Sequence, residues 1–402
     1  MKETFKAVKV SEHVYWVGAI DWALRDFHGY ATNRGSTYNA YLVMGEKVAL
    51  IDTVKAPFKG ELLSRIASVV DPKDVSIIVS NHSEMDHTGC LPEVVDLVEP
   101  EKVYASVKGA QAIAAHFHPA PEIEAVKEGD TLDLGNLELT FTPTPMLHWP
   151  DSMFTYLAAD ELLFSQDAFG MHLATSERFA DEIDRGVMIE EAAKYYANIL
   201  LPFSPLVTKL LAKVADAGIS IRTLVPAHGP IYRTEKDIGW ILGLYAEWAA
   251  QKPTKKAVVV YDTMWGSTAL MARAIGDGVA AGGASAKLLP LGASHRSEVT
   301  TELLDAGALL VGTPTINNQM LPRIADVLTY VKGLKPRNLI GAAFGSYGWS
   351  GEAVKHVEEI LSAMKVELVA ETLNVKYVPD EDVLAQCRSL GMLVAEKLVE
   401  RC

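Results

Sequence analysis

The chain reads as an α/β and α+β protein of two domains: a mixed sheet system flanked by helices over residues 1–250, then a doubly wound parallel sheet over residues 251–402. Three observations point there. The chain has 402 residues, whereas one core usually stops growing near roughly 250–300. Before residue 250, strand-like runs come both in adjacent pairs and alternating with helical patterns, the texture of a mixed sheet. After the polar, basic stretch from Gln251 to Lys256, which carries Pro253 and reads as a linker, short apolar runs alternate cleanly with helices.

In the first domain, TYNAYLVMG (37–45), KVALIDTV (47–54) and VSIIVSNHS (75–83) are β-branched, apolar runs that predict strands. LELTFTPTPM (137–146), SMFTYLAADELLFSQDAF (152–169) and TLVPAHG (223–229) predict more, with helices at 57–70, 205–217 and 237–250. In the second domain AVVVYD (257–262) leads into a helix from about 267. AKLLPL, ALLVGT and NLIGAAFGS are expected to be buried parallel strands, VELVAETLNV (366–375) the fifth, and 380–401 a closing helix. Five strands in this rhythm predict a flavodoxin-like order.

A formal net charge of -14 disfavours nucleic acid, whose phosphates need Lys and Arg. Cys90, Cys387 and Cys402 form no CxxC pair, which fits a reducing compartment. The first residues have no long apolar core, and no run reaches the ~20 consecutive apolar residues of a membrane span. A soluble, cytoplasmic protein is expected.

Four ligand-type side chains fall within six residues in His82-Ser83-Glu84-Met85-Asp86-His87, just after a strand. His148, Asp167 and His228 each come after a strand-like run where it meets a Gly- or Pro-containing loop, and loops on a rigid scaffold are where ligands usually sit. Four imidazoles and three carboxylates suffice for two metals, with Asp167 as the bridge and a separation of ~3.5–4 Å. An N/O set without thiolates suits non-haem iron. His172 and Tyr196 are candidates for catalytic proton donors beside the metals. His13, His28, His295 and His356 have no ligand-type neighbours in the sequence, and His116 and His118 fit surface or capping roles.

A second constellation lies after the strands of the second domain. Thr263, Met264, Trp265, Gly266, Ser267 and Thr268 run into a helix, where backbone N–H groups and hydroxyls suit a phosphate. There is no GxGxxG, so a mononucleotide fits better than a dinucleotide. Thr313, Pro314, Thr315, Ile316, Asn317 and Asn318 close the third strand. Gly345, Ser346, Tyr347, Gly348, Trp349, Ser350 and Gly351 close the fourth, and Trp349 is placed to stack on a flat ring.

The motif H-x-E-x-D-H with distant His, Asp and His resembles the metallo-β-lactamase fold, whose hydrolases carry H-x-H-x-D-H and zinc. Glu84 stands at the second His, and that departure resembles the flavodiiron proteins (A-type flavoproteins, rubredoxin:oxygen oxidoreductases). The resemblance spans essentially the whole chain. It implies a metallo-β-lactamase-like αβ/βα diiron domain (1–250) followed by a flavodoxin-like FMN-binding domain (251–402). It assigns His82, Glu84 and His148 to one iron, Asp86, His87 and His228 to the other, and Asp167 to the bridge; water could replace His87. The implied cofactors are FMN and two non-haem Fe ions per chain. The implied activity is reduction of O2 to water, NO to N2O, or both. Electrons would come from a separate rubredoxin, since the chain has no Cys-rich rubredoxin module, and the assembly would be a head-to-tail homodimer. The alternative is a metallo-β-lactamase-type dinuclear hydrolase with an appended flavodoxin-like domain.

Overall fold

The computed structural model describes residues 4–402, which form two compact units. The first takes residues up to 28, 32–195 and 205–246; the second takes 29–31, 196–204 and 247–402. The second unit resumes at Glu247, within the last turn of the helix Glu235–Ala250. Segment 196–204 groups with the second unit through Asn198. Its Nδ2 donates to Ser297 O (3.2 Å), and its Oδ1 accepts from Thr300 Oγ1 (2.7 Å) and Tyr330 Oη (2.9 Å). Such long-range bonds leave no trace in local composition.

The first unit pairs two sheets. One is ordered Val8–Lys9, Val14–Trp16, Tyr41–Met44, Val48–Ile51, Val75–Ser80, Lys102–Ser106 and Glu124–Val126, antiparallel at first and parallel from Val48–Ile51 onward. The other is ordered Thr131–Asp133, Glu138–Pro143, Met153–Leu157, Leu162–Gln166 and Thr223–Pro226, with only the last pair parallel. Strand side chains alternate between faces. Tyr41 and Val43 therefore join Ile77, Val79, Phe141 and Phe164 in the core between the sheets. Leu42 and Leu50 turn outward, onto Leu62 and Ile66 of the helix Lys59–Ala67 and Val94 of the helix Leu91–Val98. Tyr245 of Glu235–Ala250 packs on Phe169, which in turn packs on Phe154 of the second sheet. The layers run helix, sheet, sheet, helix, as expected from the sequence.

Several strands here are only two or three residues long, among them Val14–Trp16, Ala19–Asp21 and Asp26–Phe27. A period-two pattern needs more residues than that, so the sequence does not mark them. The helical stretch Arg185–Asp216 is long and apolar enough to cross a membrane by length and composition, although charged residues interrupt its apolar runs. It includes a π turn, Tyr196–Leu200, and the buried ion pair of Glu191 and Lys194 at 3.0 Å.

The second unit is a parallel sheet ordered Ser285–Pro290, Lys256–Tyr261, Ala308–Gly312 and Ile340–Tyr347, the flavodoxin-like order. Val258 and Val260 face one core with Ile324 and Val357; Ala257 and Val259 face the other with Met271, Ile275 and Val394. Helices therefore cover both faces. Two strand expectations need correction. Ser285–Pro290 is an edge strand, mostly exposed or half-buried, not a buried one. The fifth strand is two pieces, Glu367–Leu368 and Leu373–Lys376, each parallel to Ile340–Tyr347 but at opposite ends of it.

Candidate functional site

All seven metal candidates sit at the carboxyl ends of strands in the first unit. Val75–Ser80 ends into a turn whose Glu84 is the N-cap of the short helix Met85–Thr88, so His82, Glu84, Asp86 and His87 come off one tight bend. His148 comes after Glu138–Pro143, Asp167 after Leu162–Gln166, and His228 after Thr223–Pro226. The structure draws them into two groups, His82, Glu84, His148 with Asp167, and Asp86, His87, His228, the ligand atoms of each lying within 4.8 Å of one another. Asp167 divides between them. Its Oδ2 faces His82 Nε2 (3.2 Å) and His148 Nε2 (3.3 Å). Its Oδ1 faces His87 Nε2 (3.3 Å) and His228 Nε2 (3.4 Å).

These residues fit metal cations. Among the described residues, both oxygens of Asp86 and Asp167 and both ring nitrogens of His87 are buried without an aligned hydrogen bond. Polar atoms in a fold are rarely left so unless they serve another partner. Burial works to strip the proton from His87, but Asp86 and Asp167 push its pKa up to about 9. His148 is likewise opposed by burial and raised to about 9 by Asp167 and Glu84. A field that favours imidazolium so strongly favours a metal cation in the same place. Seven N/O donors and no thiolate suit iron.

The rings are aimed from behind. His82 Nδ1 lies 3.0 Å from Asp151 Oδ2, and His228 Nδ1 donates to Thr37 O at 2.6 Å, so each leaves Nε2 for the centre. Gln166, held at φ 42°, donates to Leu147 O and accepts from Asp167 N at 2.5 Å, clamping the two loops that carry His148 and Asp167. Neither Asp151 nor Gln166 stands out in the sequence. The signal for Asp151 is the run His148-Trp-Pro-Asp-Ser152, a carboxylate three residues from a candidate ligand.

The surroundings correct two readings. Tyr196 is occupied elsewhere: its Oη lies 3.1 Å from Ser204 Oγ and its ring packs on Trp248. Its neighbour Tyr195, the last residue of Arg185–Tyr195, is the tyrosine in the pocket, with its ring 5.1 Å from His172 and 6.1 Å from His228. Consecutive helical residues point about 100° apart, so only one of the two can face the metals. Burial, reinforced by Asp167, holds the Tyr195 phenol well above its usual pKa and so protonated. Burial and the neighbouring His228 hold His172 well below its usual pKa, a neutral imidazole 2.8 Å from Ser36 Oγ. His28, which has no ligand-type neighbour in the sequence, has its Nε2 3.2 Å from Glu84 Oε1, which leaves Oε2 toward His82 and His148. A cavity of about 480 Å³ with His28, Phe27 and Lys55 in its wall opens onto Glu84 and Asp86.

In the second unit the three loops named from the sequence line one cavity of about 660 Å³, together with Tyr377 and Val378, which the sequence did not mark. The helix Ser267–Ala281 begins at Gly266 (φ 91°) with no side-chain cap, and Ser267 of its first turn lines this cavity. Thr263 Oγ1 accepts from Gly266 N (3.1 Å) and sets the turn. Asn317 (φ 49°) and Asn318 (φ 59°) make a two-residue hairpin between Thr315–Ile316 and Gln319–Met320, the left-handed turn that Asn tolerates. Trp265 and Trp349 stand 95% and 89% exposed, flat faces with little protein against them. Thr268, Thr313, Ile316, Gly345 and Gly351 shape these loops from behind; Thr268 Oγ1 lies 3.2 Å from Ser346 Oγ and Thr313 Oγ1 accepts from Leu321 N (3.1 Å). An uncapped helix start, hydroxyls and bare indoles suit a phosphorylated flat ring such as FMN.

Comparisons with known proteins agree. Residues 37–229 match the family described as ODP family beta lactamase, and residues 259–391 match flavodoxin. The chain is 47% identical over 397 residues to a nitric oxide reductase of Moorella thermoacetica, across 98% of this chain and 99% of that one. It superposes on the rubredoxin oxygen:oxidoreductase of Desulfovibrio gigas with a TM-score of 0.97 at 43% identity, covering 98% of this chain and 99% of that one. For the flavodiiron protein of Giardia intestinalis the TM-score is 0.93 at 36% identity, over 99% and 98% of the two chains.

Proposed function

The chain belongs to the flavodiiron proteins, and from that premise we propose that it reduces O2 to water, NO to N2O, or both, with electrons from an external rubredoxin-type protein. Its cofactors are FMN and a non-haem diiron centre. The observation that carries the reading is Asp167, whose two oxygens face two separate triads. The hydrolase alternative falls with the family assignment, and Glu84 gives the physical reason. A carboxylate in place of an imidazole favours ferric iron over a zinc site built for hydrolysis.

When bound, the irons and the flavin supply one-electron chemistry and a store of four reducing equivalents, enough to take O2 to water. His82, Glu84 and His148 would hold one iron, Asp86, His87 and His228 the other, and Asp167 both. Tyr195 Oη keeps its proton and can donate a hydrogen bond into the pocket, and neutral His172 offers a second polar partner beside it. Thr263, Ser267 and the helix start at Gly266 would hold the FMN phosphate, and Trp349 would lie against the ring. Steady-state turnover with reduced rubredoxin and each gas tests the activity. Consumption of O2 or NO at ordinary enzymatic rates, roughly 1–1000 per second, is expected; consumption of neither contradicts the reading.

The protein acts in the cytoplasm as a head-to-tail homodimer. Support comes from two apolar rims. Trp265, Tyr377 and Val378 stand exposed beside the flavin cavity, and Met85 stands exposed beside the diiron mouth. A two-fold dimer can cover each rim with the other chain. Co-expressed heterodimers of Asp167→Ala with Gly266→Asp/Trp349→Ala test this. One interface keeps an intact flavin opposite an intact iron site, so about half the parental activity should return while each variant alone stays near zero. Verified heterodimers without recovery would count against the assembly.

A further inference from the structure

The two triads are alike in kind. Each has two imidazoles, one terminal carboxylate and one oxygen of Asp167. The groups behind them differ. His82 Nδ1 meets a buried carboxylate, Asp151 Oδ2, at 3.0 Å; the same oxygen accepts from Ser83 N (2.6 Å) and Ser83 Oγ (2.7 Å). In the other triad His228 Nδ1 meets neutral groups, the carbonyl Thr37 O at 2.6 Å and the Ser36 hydroxyl at 3.4 Å. His87 has no aligned hydrogen bond at either nitrogen among the described residues. Asp52, another buried carboxyl group, accepts from Asn81 N at 2.7 Å; it interacts through space with both His87 and His82 but, among the described residues, hydrogen-bonds no imidazole.

Asp151 is also held firmly. Its carbonyl accepts from Ser106 Oγ at 2.7 Å, and it lies on the loop that carries His148. From that loop Trp149 packs edge-on against His82, centroids 5.2 Å apart at 87°. One loop thus carries one ligand of this triad and buttresses a second.

We infer that Asp151 is a positioning residue that makes the two iron positions unequal: it fixes His82 with Nε2 toward the metal and stabilises the ferric state at that position relative to the other. A carboxylate that accepts the Nδ1 proton raises the donor strength of the ring more than a carbonyl does. In a buried site its charge is little screened. Asp86, His87 and His228 would therefore hold the more easily reduced iron, and His82, Glu84 and His148 the one harder to reduce.

The inference rests on the two-iron reading and adds which position is harder to reduce. The test is a redox titration of the full-length, iron-loaded protein followed by electron paramagnetic resonance, with iron and flavin content measured alongside. Asp151→Asn keeps an acceptor oxygen for His82 and Ser83 but removes the charge. It should retain both irons and FMN while the ferric-to-ferrous ratio of one iron, at fixed potential, falls about tenfold, a midpoint rise of about 59 mV. Ser83→Ala strips one donor from Asp151 Oδ2, leaves more charge behind His82, and should shift the same midpoint the other way by a smaller amount, about threefold in ratio. This second variant decides the matter if the first loses iron or fails to fold. Unshifted midpoints in a variant that holds two irons overturn the inference. A parent protein that does not hold two irons overturns the two-iron reading instead, so the two failures are distinct.

Discussion

Asp167→Ala is expected to lose both irons and reductase activity together. Each Asp167 oxygen faces a different triad, so removing the carboxylate takes a ligand from both positions at once. It also leaves four imidazoles with two carboxylates in place of three, in a pocket where burial already disfavours their charge. Loss of an outer-shell partner costs about 10–100-fold in affinity or activity; loss of a shared ligand should exceed the upper end of that. Flavin content should stay near parental, because the residues lining the flavin cavity belong to the second unit. Iron analysis, flavin absorbance and turnover on one preparation check this. A variant that keeps two irons and full turnover would show that Asp167 is no bridge.

Gly266→Asp is expected to do the reverse, losing FMN while iron stays. Gly266 has φ 91°, a backbone conformation that a side chain strains. Space is not the obstacle, since nothing lies within 4 Å of an added Cβ. The new carboxylate would sit at the uncapped helix start, where the phosphate's charge is expected. Strain and repulsion together should weaken FMN binding at least about 100-fold, or about 2.7 kcal/mol. Fluorescence titration of the flavin-stripped protein measures it. An unchanged dissociation constant would place the phosphate elsewhere.

Much of this site was legible because its chemistry is concentrated at strand ends. The run from His82 to His87 packs four ligand types into one turn, and the remaining three each come after an apolar strand run that marks its own end. The flavin loops were legible for the same reason: strands of a parallel sheet are continuous apolar runs, and the loops at their carboxyl ends form the binding edge. The features that escaped depend on the third dimension. Tyr195 and Tyr196 differ only in helical phase, and a π turn, Tyr196–Leu200, starts between them. His28 reaches Glu84 across 56 positions of sequence, and Asp151 reaches His82 across 69. The fifth strand looked continuous because Val366 to Val375 is apolar at both ends. Its two ends attach separately to Ile340–Tyr347, with Ala370 to Thr372 between them.

A diiron centre and FMN are expected on the same chain. Metal analysis by mass spectrometry, with flavin released and quantified from the same anaerobically purified sample, tests it most directly. About two irons and one FMN per chain are expected, with iron falling in Asp167→Ala and flavin in Gly266→Asp. Two zincs in place of iron, or a full iron complement with no flavin site, would contradict it.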